Sequence, residues 1–516
     1  MKRREFIKLA TASSLALSQQ LSHLACRQNT RRPNIIFIMS DDHASRAISC
    51  YDDTLMKTPN LDRLAQEGKR VDLFFSTNAI CAPSRASILT GQYSSRHGVI
   101  DNSQEFKPSQ TTLPELLQHA GYQTSLIGKW HLKTAPTGFD YYLILPDQGD
   151  YYNPDFIDKK HRFQLPGYVT NILTSRAIDW LKSRDRQKPF FLCLHHKASH
   201  RNWMPDIEFL SLFRDQELPV PKTFFDDYQN RCPAAGLQEM RIADHSYLTY
   251  DLKLFPLDDK QLNEHEQTGL AYWNSVFSRL TDDQKKIWEE AYREENEEFK
   301  RKKLEGPDLA LWKYQRYIKD YLRTVASIDK SLGQLLDYLD QAGLSDSTLV
   351  IYTSDQGFFL GEHGWFDKRF MYEPSILTPL IIRYPDGLEK GVEKDHFLLN
   401  IDLAPTILDV AGIDIPRDIQ GSSFKRLLQG TKVSGWRESI YYHYYEYPGV
   451  HSVRRHYGIR TKQHKLIHYY NDLDCWELFD LEKDPDEAVN QFSNPEYRSV
   501  KEVLHKRLEE MHREIG

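Results

Sequence analysis

Two acidic pairs in this chain each follow directly on an apolar run. Asp41 and Asp42 come after Ile35-Ile36-Phe37-Ile38-Met39-Ser40, and Asp355 and Gln356 come after Leu349-Val350-Ile351-Tyr352-Thr353-Ser354. Three carboxylates and an amide oxygen make a hard-oxygen donor set, the chemistry that binds Ca2+. A single Asp-Asp pair is more often a turn or a cap. Two clusters placed directly after apolar strands say more, because open α/β sheets bind ligands at the carboxyl ends of their strands. Residues 121–131 read Gly-Tyr-Gln-Thr-Ser-Leu-Ile-Gly-Lys-Trp-His, which puts the Lys129 ammonium and the His131 imidazole at the same sheet edge. This is no phosphate loop, since Trp130 stands where the hydroxyl residue would be required. Cys81-Ala82-Pro83-Ser84-Arg85, followed by Ala86-Ser87-Ile88-Leu89-Thr90-Gly91, sets a thiol just ahead of a helical stretch that includes a guanidinium. On the residues alone, Cys81 is equally a buried free cysteine at a helix start.

These groups need a scaffold that gathers strand ends. Residues 35–39 form a fully apolar run, expected as a buried central strand of a parallel sheet. Helix and strand patterns then alternate: a helix capped by Asn60 through Glu67, a strand at 71–75, helices at 84–89 and 113–120, a strand at 123–127, an amphipathic helix at 172–183 and a strand at 190–194. A long helical pattern at 314–342 leads into a strand at 348–352, followed by a strand at 380–384 and a helix at 401–411. The alternation predicts a doubly wound sheet. Past residue 430, short strand-like runs at 440–447, 457–461, 465–469 and 476–480 precede a helix at 497–512, predicting a small α+β subdomain. The expected division is an export signal at 1–26, a catalytic domain at 31–430 and a C-terminal subdomain at 431–516. A polar insertion at about 205–311 carries no catalytic constellation and reads as a surface elaboration packed on the sheet.

Composition narrows the function. With 516 residues, 40% hydrophobic and 27% charged, the chain supports a large core. A net charge of −6 excludes a general nucleic-acid binder. Lys2-Arg3-Arg4-Glu5-Phe6-Ile7-Lys8 resembles a twin-arginine export consensus, and the apolar stretch after it is too short to span a bilayer. Leu24-Ala25-Cys26 matches the end of a lipobox, with His23 a poor fit, so lipidation of Cys26 stands beside simple cleavage. The protein is therefore expected in the periplasm or as a cell-surface lipoprotein, touching a membrane only through that anchor. Cys50, Cys193, Cys232 and Cys475 form no spaced framework, and the sequence specifies no disulfide.

Taken together, the motifs resemble the type I, formylglycine-dependent sulfatases of the alkaline phosphatase superfamily, in the branch of exported bacterial enzymes acting on sulfated glycans. Cys-x-Pro-Ser-Arg with Thr90-Gly91 resembles the first signature of that family, and residues 121–131 the second. The likeness spans roughly residues 31–490, including Trp476-Glu477-Leu478-Phe479-Asp480, with the insertion least constrained. It implies an α/β fold: a large, mixed, mostly parallel sheet flanked by helices, with a smaller C-terminal α+β subdomain. It also implies that a maturation enzyme oxidises Cys81 to formylglycine, and that one Ca2+ is held by Asp41, Asp42, Asp355, Gln356 and residue 81. Gln356 departs from the asparagine of many members but offers the same oxygen. Arg85, Lys129 and Lys368 would hold the sulfate oxygens and the aldehyde hydrate. The hydrate would attack sulfur, and His200 or Lys368 would protonate the departing sugar oxygen. His131 would then take the remaining hydroxyl proton and expel sulfate.

Substrate identity is less legible. The resemblance favours a sulfated sugar, first of all N-acetylglucosamine 6-sulfate, with an ulvan-type algal polysaccharide as the next choice. His363, His451, Arg454 and Arg455 are candidates for gripping an anionic sugar, and read equally well as packing and solvated charge. A phosphatase or phosphonate hydrolase on the same fold, and a non-catalytic glycan binder, are the competing functions.

Overall fold

The computed structural model describes residues 32–256, 262–384 and 387–516. In chain order the first strands are β1 (Asn34–Ser40), β2 (Lys69–Val71), β3 (Phe74–Phe75), β4 (Gln123–Lys129), β5 (Tyr141–Leu145) and β6 (Asp155–Ile157). They continue with β7 (Arg162–Gln164), β8 (Phe190–His195), β9 (Thr348–Ser354), β10 (Leu380–Arg383), β11 (Gly391–Glu393) and β12 (Leu398–Leu399). Ten of them form one sheet in the order β11-β2-β10-β9-β1-β8-β4-β5-β6-β7, while β3 and β12 pair separately. β1 lies between β8 and β9 and runs parallel to both. β4 extends the parallel block beside β8 and β5. β10 runs antiparallel to β9 and β2, so the sheet is mixed and mostly parallel.

Both faces of the central strands are covered, which is why their sequences are continuously apolar rather than alternating. Ile36, Ile38, Leu192, Leu194, Val350 and Tyr352 face one layer, built largely on the helices Val169–Ser183 and Gly306–Gln341. Ile35, Phe37, Met39, Phe191, Cys193, Leu349 and Ile351 face the other, which includes the helices Cys81–Thr90 and Leu403–Val410. Cys193 is thus a packing residue.

Four more strands, β13 (Ser439–Tyr444), β14 (His456–Thr461), β15 (His464–Tyr469) and β16 (Cys475–Asp480), make an antiparallel sheet covered by the helix Arg498–Ile515. Its apolar side shares one core with Phe75, Ile80 and Tyr93 of the preceding part of the chain. A disulfide between Cys232 and Cys475 ties the insertion to this sheet, a link the cysteine spacing does not reveal.

Several boundaries differ from the sequence reading. The 71–75 strand is two strands, because Asp72 and Leu73 break the ladder. The helix expected to be capped by Asn60 starts at Pro59 after Thr58, and Asn60 instead donates to Asp329 on the long helix. The helix expected at 84–89 begins at Cys81 itself. The insertion is more than surface: Trp273, Trp288 and Tyr292 enter the main core. The export signal and Cys26 lie outside the described residues. Among the described residues no helix is long and apolar enough to cross a membrane.

Candidate functional site

Parallel pairing does the gathering. Ser40 is in register with Ser354 and Met39 with His195, so the residues following β1, β8 and β9 emerge at one edge. Gly128 pairs with His195, which brings Lys129 to the same edge. Only glycine fits at 128: its φ is 116°, and a Cβ there would lie 1.8 Å from the His195 carbonyl oxygen. Cys81 is the first residue of a ten-residue helix that is buried throughout. The N-terminal end of a helix favours negative charge. The helix closes at Gly91, in the left-handed region at φ 66°. Ser84 fastens it to the β9 loop by donating its hydroxyl to the Asp355 carbonyl.

Around the Cys81 sulfur the structure collects carboxylates and cations in alternation. Asp41 Oδ1 lies 3.5 Å from Sγ, and Gln356 Nε2 lies 3.7 Å from it. Lys129 pairs with Asp41 Oδ2. Arg85 donates twice to Asp355 Oδ2, at 3.1 and 2.9 Å, and reaches Asp41 Oδ1 at 3.5 Å. Lys368 Nζ is 2.7 Å from Asp42 Oδ2, and His200 Nε2 is 3.8 Å from the same oxygen. Asp42 and His131 both sit at positive φ, 62° and 56°, a conformation that the surrounding contacts must enforce.

The electrostatics follow from burial. Burial pushes the Asp41 carboxyl up, but Lys129, Arg85 and Lys368 overcome it and hold it well below the usual range. Asp42 is raised by burial and by Asp41. Asp355 is raised to about 7, again by burial and Asp41, against the pull of Arg85. Burial and Asp41 push the Cys81 thiol up to about 12. Burial and Lys129 lower His131 to about 4, leaving it neutral at neutral pH. They also lower His200 well below its ordinary value. The His200 Nδ1 lies 2.7 Å from the Arg201 carbonyl, which can only accept, so Nδ1 carries the proton and Nε2 faces the cluster.

The same residues fit a hard cation. Carboxylate oxygens of Asp41, Asp42 and Asp355, all buried, lie within 4.8 Å of one another. Gln356 donates Nε2 to Asp42 Oδ1 at 2.5 Å, and its buried Oε1 has no partner among the described residues. A half-turn of the amide exchanges the two atoms and completes a four-oxygen set suited to Ca2+.

Cys81, Arg85, Lys129, His200, Lys368, Asp41, Asp42, Asp355 and Gln356 thus share one buried cluster. His131 stands at its border, where its Nε2 lies 3.2 Å from Gln148 and 3.4 Å from Asp147. The four sugar-gripping candidates divide. His451 reaches Asp367, next to Lys368, at 3.3 Å. His363 is not in the cluster: its ring is locked onto Asp226 at 2.8 Å within an aromatic nest of Phe359, Trp365 and Tyr372. Arg454 is engaged with Asp472 at 2.8 Å and stacks on Tyr447. Arg455 donates to the Tyr445 carbonyl.

Three residues at the site carry no motif. Gln148 accepts from Lys129 Nζ at 2.5 Å and contacts His131. It follows β5, so the strand-then-polar pattern that exposed Asp41 and Asp355 recurs there. Asp367 and Arg369 flank Lys368, pair with each other at 3.0 Å and extend the charge array to Glu446.

Comparison with known proteins gives the family. The family profile described as Sulfatase matches residues 33–413, and one described as N-sulphoglucosamine sulphohydrolase, C-terminal, matches residues 361–514. The chain is 48% identical over 489 residues to an N-acetylglucosamine-6-O-sulfatase of Bacteroides thetaiotaomicron, covering 94% of this chain and 87% of that one. It is 26% identical to the N-acetylglucosamine-6-sulfatase of Homo sapiens, covering 83% and 70% of the two chains. A solved structure described as a complex with its substrate D-glucosamine-2-N,6-O-disulfate superimposes with a TM-score of 0.89 at 47% identity, covering 94% of this chain and 98% of that one.

Proposed function

The chain belongs to the sulfatase family and is a sulfate ester hydrolase, and from that premise we propose that it removes the 6-O-sulfate of a glucosamine residue in a sulfated glycan, with residue 81 as nucleophile. The observation that carries this reading is the placement of Cys81 Sγ at the head of a buried helix, 3.5 Å from Asp41 and inside a ring of three carboxylates and three cations. The relative named for N-acetylglucosamine 6-O-sulfate and the neighbour bound to a 6-O-sulfated glucosamine support the substrate.

Conversion of Cys81 to formylglycine by a maturation enzyme supplies an aldehyde whose hydrate is the nucleophile toward sulfur. Asp41, Asp42, Asp355 and Gln356 would hold one Ca2+, which would supply positive charge against the ester and the nucleophile. The remaining work falls to the side chains. Arg85, Lys129 and Lys368 present fixed positive charge to the sulfate oxygens in a site closed to bulk water, where such preorganisation is worth most. Each is anchored by a carboxylate and so needs no reorganisation when charge develops. His200 is oriented by its Nδ1–H bond to the Arg201 carbonyl. An anionic ester beside Nε2 raises its affinity for a proton, which it then passes to the leaving sugar oxygen. Burial keeps His131 neutral, and so able to accept the proton that must leave residue 81.

The disulfide between Cys232 and Cys475 is a bond of oxidising compartments and supports export. The test is production with a formylglycine-generating enzyme, mass spectrometry of the peptide containing residue 81, and sulfate release from N-acetylglucosamine 6-sulfate. An aldehyde and 6-O-desulfation are expected. An intact thiol in a fully active protein, or faster cleavage of the matching phosphate ester, would refute the reading.

A further inference from the structure

His200 and Gln148, at the edge of the catalytic cluster, also form walls of a cavity of about 120 Å3. Lys197 and Arg201 come from the loop after β8, while Tyr250 and Arg279 come from the insertion. Most of the charge there is already spent. Arg201 is clamped on Asp251 at 2.7 and 2.5 Å and stacks against Tyr247 and Phe366. Asp150, also in the lining, is met by Arg279 at 3.2 Å. Lys197 differs. It is 4% exposed, and among the described residues its ammonium meets one acceptor, the Gln148 carbonyl at 3.2 Å, with the Tyr151 ring 4.8 Å away. An ammonium has three N–H donors, so two remain without acceptors. No carboxylate of the described residues is at ion-pair distance from it. A buried charge without a counter-ion is costly, so an anion entering the cavity would be stabilised beside it. Burial and the charge of Lys129 accordingly lower Lys197 to about 8.

We propose that this cavity is a second anion subsite, in which Lys197 receives a sulfo or carboxylate group of the same substrate whose 6-O-sulfate sits at residue 81. The proposal rests on the sulfated-glucosamine reading above. With about 120 Å3, the cavity is roomy enough for one such group. Gln148 couples the two sites, since its side chain meets Lys129 and its carbonyl meets Lys197. The insertion therefore contributes to specificity, through the Asp251 clamp on Arg201 and the Tyr250 and Arg279 walls. The second anion has two sources: an N-sulfo group on the same sugar, or a uronate carboxylate on the adjoining one.

Three substrates separate these sources: N-acetylglucosamine 6-sulfate, glucosamine 2-N,6-O-disulfate, and a disaccharide joining a 6-sulfated N-acetylglucosamine to a uronate. In Lys197→Met, the ratio of kcat/KM for a doubly anionic substrate to that for the singly anionic one is expected to fall about ten- to hundredfold, the worth of a charge-assisted hydrogen bond. The loss should lie in KM, and Lys197→Arg should restore part of it. The disulfated sugar or the uronate disaccharide, whichever responds, identifies the source. An unchanged ratio for both overturns the proposal. Calorimetry on Cys81→Ala reads binding without turnover: tighter binding of a doubly anionic sugar, weakening with salt, is expected, and equal affinities overturn the subsite. Absence of sulfate release from all three sugars would instead defeat the glucosamine reading, while the calorimetry still decides the subsite.

Discussion

Replacing Arg85 with methionine should unbalance the catalytic cluster in a way that depends on pH. Arg85 is buried and is the direct counter-charge of Asp355, with a second contact to Asp41. Removing one partner of a buried pair typically costs about 3–5 kcal/mol, because the other charge is left uncompensated. Asp355 can escape that cost by taking a proton. Its carboxyl is already raised to about 7, so the native state binds a proton that the unfolded chain, with an ordinary aspartate near 3.8, does not. A raised carboxyl favours the folded state at low pH, and that advantage is lost as pH climbs through the folded value. Without Arg85 the folded value moves higher still, and each unit is worth about 1.4 kcal/mol. The deficit of Arg85→Met should therefore be about 3–5 kcal/mol at pH 8 and clearly smaller at pH 6. Ca2+ must displace the extra proton, so its affinity should fall, most at the lower pH. Arg85→Lys keeps the charge but loses the two-pronged contact and should lie between. Urea unfolding at both pH values, with chelator and with Ca2+, measures all of this. If Arg85→Met unfolds like the parent protein at pH 8 in chelator and binds Ca2+ as tightly, the electrostatic account is wrong.

Chelation should abolish sulfate release and lower the melting temperature, with Ca2+ at a hundredfold excess over its Kd restoring about 2.7 kcal/mol; in Asp41→Asn or Asp355→Asn that restoration should vanish, and a full calcium response in either would count against the donor set. His97 is buried, contacts the Ser87 hydroxyl through Nε2 and accepts from the Val99 N–H at Nδ1, and burial lowers it to about 3. The unfolded chain protonates this histidine below about 6.5 and the native protein does not, so stability falls as pH drops; at pH 5 His97 alone should account for about 2 kcal/mol, which His97→Gln removes from the difference between pH 8 and pH 5 unfolding. The Cys232–Cys475 bond spans 243 residues, and loop-closure entropy puts its worth at about 5 kcal/mol as an upper figure. Cys232→Ser with Cys475→Ser should lose at least about 2 kcal/mol in urea, and reductant should then have no further effect; equal stability of variant and parent would dismiss the bond.

Much of the proposed catalytic centre was legible because its residues stand at fixed offsets from strand ends. Asp41, Lys129 and Asp355 each follow directly on, or close, an apolar run, and parallel pairing delivers all such positions to one edge. Gln148 follows the same rule after Tyr141–Leu145, but Pro146 and Asp147 separate it from the strand and no motif marks it. His363 misled for the opposite reason. Its residue type suits an anion, but Asp226, Phe359 and Tyr372, which decide where its ring goes, are remote from it in the chain or invisible as partners.

By itself the sequence determined which groups stand ready for chemistry: a cysteine at the head of a helix, acidic pairs directly after apolar strands and flanking cations, all carried by local patterns of strand, turn and cap. The tertiary structure alone decided which charge balances which. Arg85 chooses Asp355, Lys368 chooses Asp42, and Lys197 is left facing a cavity. Those pairings join residues up to hundreds of positions apart, and their energies depend on burial and on distances of a few ångströms. Neither quantity is written in local sequence; both arise only when the sheet and its layers close around the site.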